Sequence, residues 1–474
     1  MKKLQRIIIA ELLVIAILAV SFAALMAGSP GAAAKEHSFS DHAATDITEL
    51  VIENEKGELR VASKDGGYVV EGVPAELIDI DYFIDFLVNC SEISSIKRVE
   101  SSGLNLDKYG FDKPLARLDV KFSDGDEIRL SLGAQETVSG NYYIKADSEN
   151  SVYLIDKAVA ESYLIAKEEL ISFYITPELQ VSSPLSAVRS VTFTGGRLEH
   201  PVTIESVADG DEEVKELARS FGAPTHIVRE TGVYELDQSY GIEMLTPLCG
   251  MKGLSIIKYG LSPRQEDELG FAEPWMKVEF DYKNSDKGTE HYVLRFLPAA
   301  KDGSVFYANA AGSGTVFLIE PQPFFDISYP KLLLRWFISP LMMDVDGISI
   351  MAEGRSYEFA IDHSDPKNPV ASLNGSEVDI ELFRKLFQLL GTAASDGNYM
   401  GPQPEAESAP VMEICYHYND DKPDDVLAIY PGSSRRVNVY SNGVCEFAMK
   451  ESFVARVTDA VKAVAEGSDF DINW

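Results

Sequence analysis

Apolar and polar residues alternate in Leu118-Asp119-Val120-Lys121-Phe122, the period of a strand with one solvated face. Upstream, Ile80, Phe83, Ile84, Leu87 and Val88 recur at helical spacing, which predicts an amphipathic helix capped by Asp79. Followed along the chain, these two periods give one order of elements three times, and such a repeat sets the architecture before any single residue is interpreted. The first run covers residues 46–170: strands at 47–53, 58–63 and 68–70, the helix, then a meander at 118–122, 128–132, 142–145 and 152–155. The second covers 187–320, with strands at 188–193 and 202–204, a helix marked by Val214, Leu217, Ala218 and Phe221, and a meander at 276–281, 292–296, 305–308 and 315–319. A helical stretch at 235–249 reads as an insertion in that run. The third covers 347–474: strands at 348–351 and 357–361, a helix with Phe383, Leu386, Phe387 and Leu390 ended by Gly391, a meander at 412–418, 426–430, 436–440 and 445–449, and a closing helix at 453–465.

Residues 321–346 read as a helical linker, as do 157–173. The expected fold class is therefore α+β: three tandem repeats, each an antiparallel meander with a packed amphipathic helix, strung out behind an N-terminal segment at 1–34. Two motifs tie the first two copies together. Tyr109-Gly110-Phe111-Asp112-Lys113-Pro114 precedes one meander and Leu269-Gly270-Phe271-Ala272-Glu273-Pro274 the other. The pair Tyr142-Tyr143 then leads to Tyr153, ten residues after Tyr143, and Phe306-Tyr307 leads to Phe317, ten residues after Tyr307. In the third copy this turn is lost, unless Met400-Gly401-Pro402 is its remnant.

The N-terminus changes the picture of location. Lys2, Lys3 and Arg6 precede an apolar run at residues 7–27 broken only by Glu11 and Ser21. A spanning helix needs roughly 20 residues, whereas a signal-peptide core has about 7–15, so length favours an uncleaved anchor. Ala32-Ala33-Ala34 also offers a cleavage site before Lys35, which would release the chain. In both cases the basic flank stays inside and the remainder is exported. A net charge of −33 excludes a nucleic-acid partner, which requires clustered Lys and Arg, and disfavours peripheral docking on anionic lipid. The four cysteines, Cys90, Cys249, Cys415 and Cys445, form no C-x-x-C pair; Cys415 and Cys445 lie on strands of one repeat and are either a cross-sheet disulfide or buried thiols.

Candidate chemistry is sparse. The seven histidines stand in no metal-binding spacing, and His37 and His42 fall in a stalk after the apolar run. The acidic segments at 281–288 and 420–425 have the oxygen content for calcium but not its loop pattern. Asp362-His363-Ser364-Asp365 reads as a loop, and Gly312-Ser313-Gly314 joins two strands instead of opening a helix, so it is no phosphate cradle of the Walker kind. No catalytic, cofactor or metal residues are expected. Two features point to partners. Glu11 places a carboxylate within the apolar run, either snorkelling or facing another helix. Leu333, Trp336 and Phe337 lie in an apolar stretch too short to span a bilayer, expected as an inter-domain helix.

The anchor, the amphipathic helix, the turn of Tyr109, Gly110, Phe111 and Pro114 and the strands of Tyr142, Tyr143 and Tyr153 resemble the bacterial family called domain of unknown function 4340 (DUF4340). The resemblance is closest in the first copy and loosest in the third. It implies a single-pass or exported envelope protein, of a kind often encoded beside ABC transporters of the gliding-motility auxiliary type, and brings no catalytic residues. The expected role is a non-enzymatic, membrane-anchored extracytoplasmic accessory of an ABC-type export complex, with a transporter permease as partner. A cell-surface glycan- or peptide-binding module and an exported hydrolase are the alternatives.

Overall fold

The computed structural model describes residues 37–100, 106–178, 182–284, 288–365 and 367–474. The apolar N-terminal segment with Glu11, and Ser285 in the acidic segment at 281–288, lie outside the described residues. Among the described residues no helix is long and apolar enough to cross a membrane. The fold is mixed α+β, built on three large antiparallel sheets. The chain divides into two compact units between Phe173 and Tyr174.

The first unit holds an eight-stranded sheet in the order Gly67–Val70, Gly57–Lys64, Ile47–Asn54, Ala116–Phe122, Glu127–Gln135, Tyr142–Ala146, Val152–Ile155 and Lys97–Glu100. The helix Ile80–Ser91 starts where Asp79 accepts a hydrogen bond from the Tyr82 amide, and it buries Phe83, Ile84, Phe86 and Leu87. The alternation expected of Leu118, Val120 and Phe122 is realised, since all three are buried. Folding begins earlier than the sequence suggests. His37–Asp41 is a strand paired with Glu92–Ser95, His37 stacks on Tyr153 with ring centroids 4.7 Å apart, and His42 stacks on Phe122. Neither histidine belongs to a stalk.

The second unit holds two sheets. One runs Val233–Glu235, His226–Arg229, Val202–Ser206, Val188–Gly195, Met276–Asn284, Gly288–Pro298, Phe306–Ala310, Val316–Ile319 and Ser255–Lys258. The other runs Ser376–Val378, Val370–Leu373, Arg355–Asp362, Val345–Ala352, Met412–Tyr418, Asp425–Pro431, Arg436–Ser441 and Val444–Lys450. In every sheet the opening strand sits beside the first strand of the meander. Each opening strand also carries a bulge near its start, between Ile47 and Glu49, Val188 and Ser190, and Val345 and Gly347. In each case the residue before the bulge faces a buried aromatic, Phe122, Tyr282 or Tyr418. The ten-residue spacing also has a physical cause: Tyr143 pairs with Leu154 and Tyr307 with Leu318, the same hairpin register in both sheets.

Three local readings are corrected. By element order the helix equivalent to Ile80–Ser91 and Ile380–Leu390 is Gln238–Leu245, which immediately follows the last of the opening strands; Glu212–Ala218 is the inserted one. Met244 and Leu245 enter the main core, whereas Val214, Ala218 and Phe221 form a satellite cluster. Met400 and Gln403 lie along the last strand, their amides donating to the carbonyls of Glu446 and Cys445, so this segment is an edge element and no remnant of the turn. Residues 324–337 are not one helix. Two single turns, Pro323–Asp326 and Tyr329–Leu332, are followed by extended chain in which Leu333 bridges Leu236 and Trp336 bridges Ala394. Pro330 and Pro340 limit helix on both sides. Phe324, Phe325 and Phe337 are buried, and one apolar core extends through both sheets of this unit.

Candidate functional site

The densest chemistry lies on the solvated face of the last sheet. Cys415 and His417 are two residues apart on Met412–Tyr418 and so project from one face. Ser349, on the neighbouring strand, pairs with Cys415 in register, and Glu358 pairs with Ser349 from the other side. Asp424 returns from the connection before Asp425–Pro431. His417 Nδ1 lies 2.8 Å from Asp424 Oδ2, and its Nε2 lies 2.7 Å from Ser349 Oγ. Cys415 Sγ is 3.8 Å from Nδ1 and 3.7 Å from Asp424 Oδ2. Hydrogen bonds from Ser349 and Ser356 hold Glu358 below the usual carboxylate range. Burial, then the nearby Asp424 carboxylate, pushes the Cys415 thiol up to about 12.

Serine, histidine and aspartate in this order resemble a hydrolytic relay, but the surroundings do not suit acyl transfer. The strand Val345–Ala352 lies between two antiparallel neighbours that take up its ladder N–H groups, so no backbone donor pair is left beside Ser349 for an oxyanion. A thiol with a raised pKa is a poor nucleophile. His417 did not stand out in the sequence, and Cys415 did so only as a possible disulfide partner; the legible signal was Cys-x-His on a predicted strand followed by an acidic turn. The turn itself is no calcium loop, because Asp420 goes to Arg219 and Asp425 to Lys422. Cys415 and Cys445 are free thiols. Two strands separate theirs, roughly 14 Å at ~4.8 Å per step, beyond the ~7 Å reach of a disulfide.

The apolar stretch at 333–337 lines a second feature. Leu333, Leu334, Phe337, Tyr234 and Phe447 border a cavity of about 190 Å³. Leu333 and Phe337 are buried, and Trp336 remains 42% exposed. Beside Phe447, Glu446 is fully buried; its Oε2 accepts from Tyr329 at 3.0 Å, while Oε1 has no partner among the described residues. Burial raises its pKa.

The turn at residues 109–114 is structural. Gly110 has φ +79°, a conformation that side chains resist. Tyr109 is buried, donates to Glu100 Oε2 at 2.5 Å and meets Tyr143 edge-on at 4.9 Å. Tyr142 and Tyr153 are buried strand residues, and Phe111 and Pro114 are half-buried at the turn. The turn presses onto Gly133, where a Cβ would meet the Tyr109 carbonyl oxygen at 2.2 Å. The family model described as domain of unknown function (DUF4340) matches residues 79–212. Residues 79–212 are thus similar to DUF4340. The match starts at the cap of the helix Ile80–Ser91 and includes the turn and all of Tyr142, Tyr143 and Tyr153. The cluster around His417 lies outside the DUF4340 match. No curated protein and no solved structure matches the chain. Gly133→Ala within the DUF4340 region is expected to cost about 1–3 kcal/mol through forced displacement of the turn. Urea unfolding of this variant, read against wild type, measures it.

Proposed function

We propose that the protein is a non-enzymatic, membrane-anchored extracytoplasmic accessory of an ABC-type export complex, made of three copies of one α+β unit behind an N-terminal span. The common strand order and the bulge at the start of each opening strand support the threefold repeat. The apolar run at residues 7–27 supports the span, and the DUF4340 resemblance supports the setting beside a transporter.

The observation that carries a role in binding is the exposure of Trp336, Leu341 and Met343, the last at 68%, on a chain of net charge −33. Large apolar side chains left in water within one short segment favour a protein partner. In-membrane crosslinking followed by affinity purification tests this, comparing wild type, Glu11→Leu and Trp336→Ala. A transporter permease is expected with wild type and at least tenfold less with Trp336→Ala, whose stability should change little because the ring is half exposed. Loss with Glu11→Leu would add the anchor to the contact. Recovery of cell-wall polymer without any membrane protein would overturn the reading in favour of a surface-binding module.

A further inference from the structure

We infer that Cys415, His417 and Asp424 form a binding site for a zinc-class divalent ion, with Ser349 and Glu358 positioning the imidazole. The argument starts from hydrogens. Glu358 Oε2 lies 2.5 Å from Ser349 Oγ, and an ionised carboxylate only accepts, so the Ser349 hydroxyl donates to it. Ser349 Oγ must then accept from His417 Nε2, which places a proton on that nitrogen. The opposite nitrogen, Nδ1, faces an aspartate oxygen and a sulfur. Three electron-rich atoms, all within 4.8 Å of one another, need a cation between them, a proton or a metal.

Tetrahedral zinc, with bonds of about 2.3 Å to sulfur and about 2.0–2.2 Å to nitrogen and oxygen, places sulfur about 3.5 Å from the other two ligand atoms. The observed sulfur distances are 3.8 and 3.7 Å. The Nδ1–Oδ2 distance of 2.8 Å must open to about 3.3 Å, which the exposed Asp424 side chain accommodates by rotation. A mixed sulfur, nitrogen and oxygen set selects zinc and its borderline neighbours over magnesium and calcium. The chain Nε2–H to Ser349 to Glu358 is the kind of outer-layer support that fixes a ligating imidazole. On binding, the Cys415 thiol releases its proton to solvent, and the fourth coordination position stays open to water. The other candidate group, His42 with Asp124 and Asp126, has no sulfur, so spectroscopy separates the two.

The test uses the purified, reduced, metal-free full chain titrated with cobalt(II) and then zinc. One equivalent of cobalt should give sulfur-to-cobalt charge-transfer absorption, which zinc bleaches. Cys415→Ser should abolish that absorption and weaken zinc binding at least 100-fold, and Ser349→Ala should weaken zinc binding roughly 10–100-fold while keeping the absorption. Absence of the sulfur-to-cobalt absorption in wild type overturns the site, whatever the variants do. Equal zinc affinity in wild type and Cys415→Ser overturns it as well. Either failure leaves the accessory role untouched, since that role rests on other residues.

Discussion

Glu266→Ala is expected to destabilise the unit at residues 174–474 by about 3–5 kcal/mol, because it strips the mostly buried Arg295 of its buried counterion, leaving it only the exposed Asp267 at 3.2 Å. Glu266 is 1% exposed, and its two oxygens are satisfied on every side. Arg295 Nη2 reaches Oε2 at 2.5 Å, the Gly312 amide donates to Oε2 at 3.0 Å, and the Gly314 amide and Asn309 Nδ2 donate to Oε1 at 2.8 and 3.1 Å. The Gly-Ser-Gly loop is therefore an anion cradle whose anion is internal. Gly314 is irreplaceable there, with φ +72° and the Leu261 carbonyl oxygen 2.9 Å from where a Cβ would stand. Urea denaturation should show a lower midpoint with an unchanged slope. A double-mutant cycle with Arg295→Ala should return a coupling of about 0.5–3 kcal/mol. A loss below about 0.5 kcal/mol for Glu266→Ala, the range of ordinary surface changes, would refute the buried-pair account.

Glu446→Gln is expected to act in the opposite sense, and only above acidic pH. Burial raises the folded-state pKa of Glu446 above its ordinary value of 4.5, so the native state holds the proton more tightly than the unfolded chain does. Its favourable contribution is thus complete below pH 4.5 and is lost as pH rises through the folded pKa. Glutamine keeps an oxygen for the hydroxyl group of Tyr329 but never ionises. The stability of Glu446→Gln relative to wild type should therefore increase as pH rises above about 4.5 and level off beyond the folded-state pKa. Chemical denaturation of both proteins across that range measures the difference and cancels the titration of the many surface carboxylates. A difference that stays flat, or falls, would show that folding does not raise the pKa of Glu446. Tyr329→Phe, which removes one donor from the buried carboxylate, should cost about 1–3 kcal/mol at neutral pH.

Local periodicity carried far in this chain. The apolar stripe from Ile80 to Val88, the alternation in residues 118–122 and the recurring ten-residue spacing are properties of neighbouring positions, and each appears in the structure as a helix face, a half-buried strand or a hairpin register. The turn motif at Tyr109, Gly110, Phe111 and Pro114 was also legible, because a positive φ and a tight approach leave glycine at fixed places. What failed was assignment between similar local patterns. Glu212–Ala218 and Gln238–Leu245 both show helical spacing, and only packing decides which one enters the main core. The stretch from Leu333 to Ile338 is apolar enough for a buried helix, but backbone partners at Leu236 and Ala394 hold it extended.

By itself, then, the sequence determined the α+β class, the meander strands and the DUF4340 resemblance, since these follow from side-chain period and turn chemistry, but not edge strands such as Lys97–Glu100, Val233–Glu235 or Ser376–Val378. Only the tertiary structure decided which polar groups meet. Glu266 reaches Gly314 across 48 residues, Ser349 reaches His417 across 68, and Tyr329 reaches Glu446 across 117. Those encounters depend on strand order and on which face of a sheet each residue occupies, and no local pattern in the chain records either for residues so far apart.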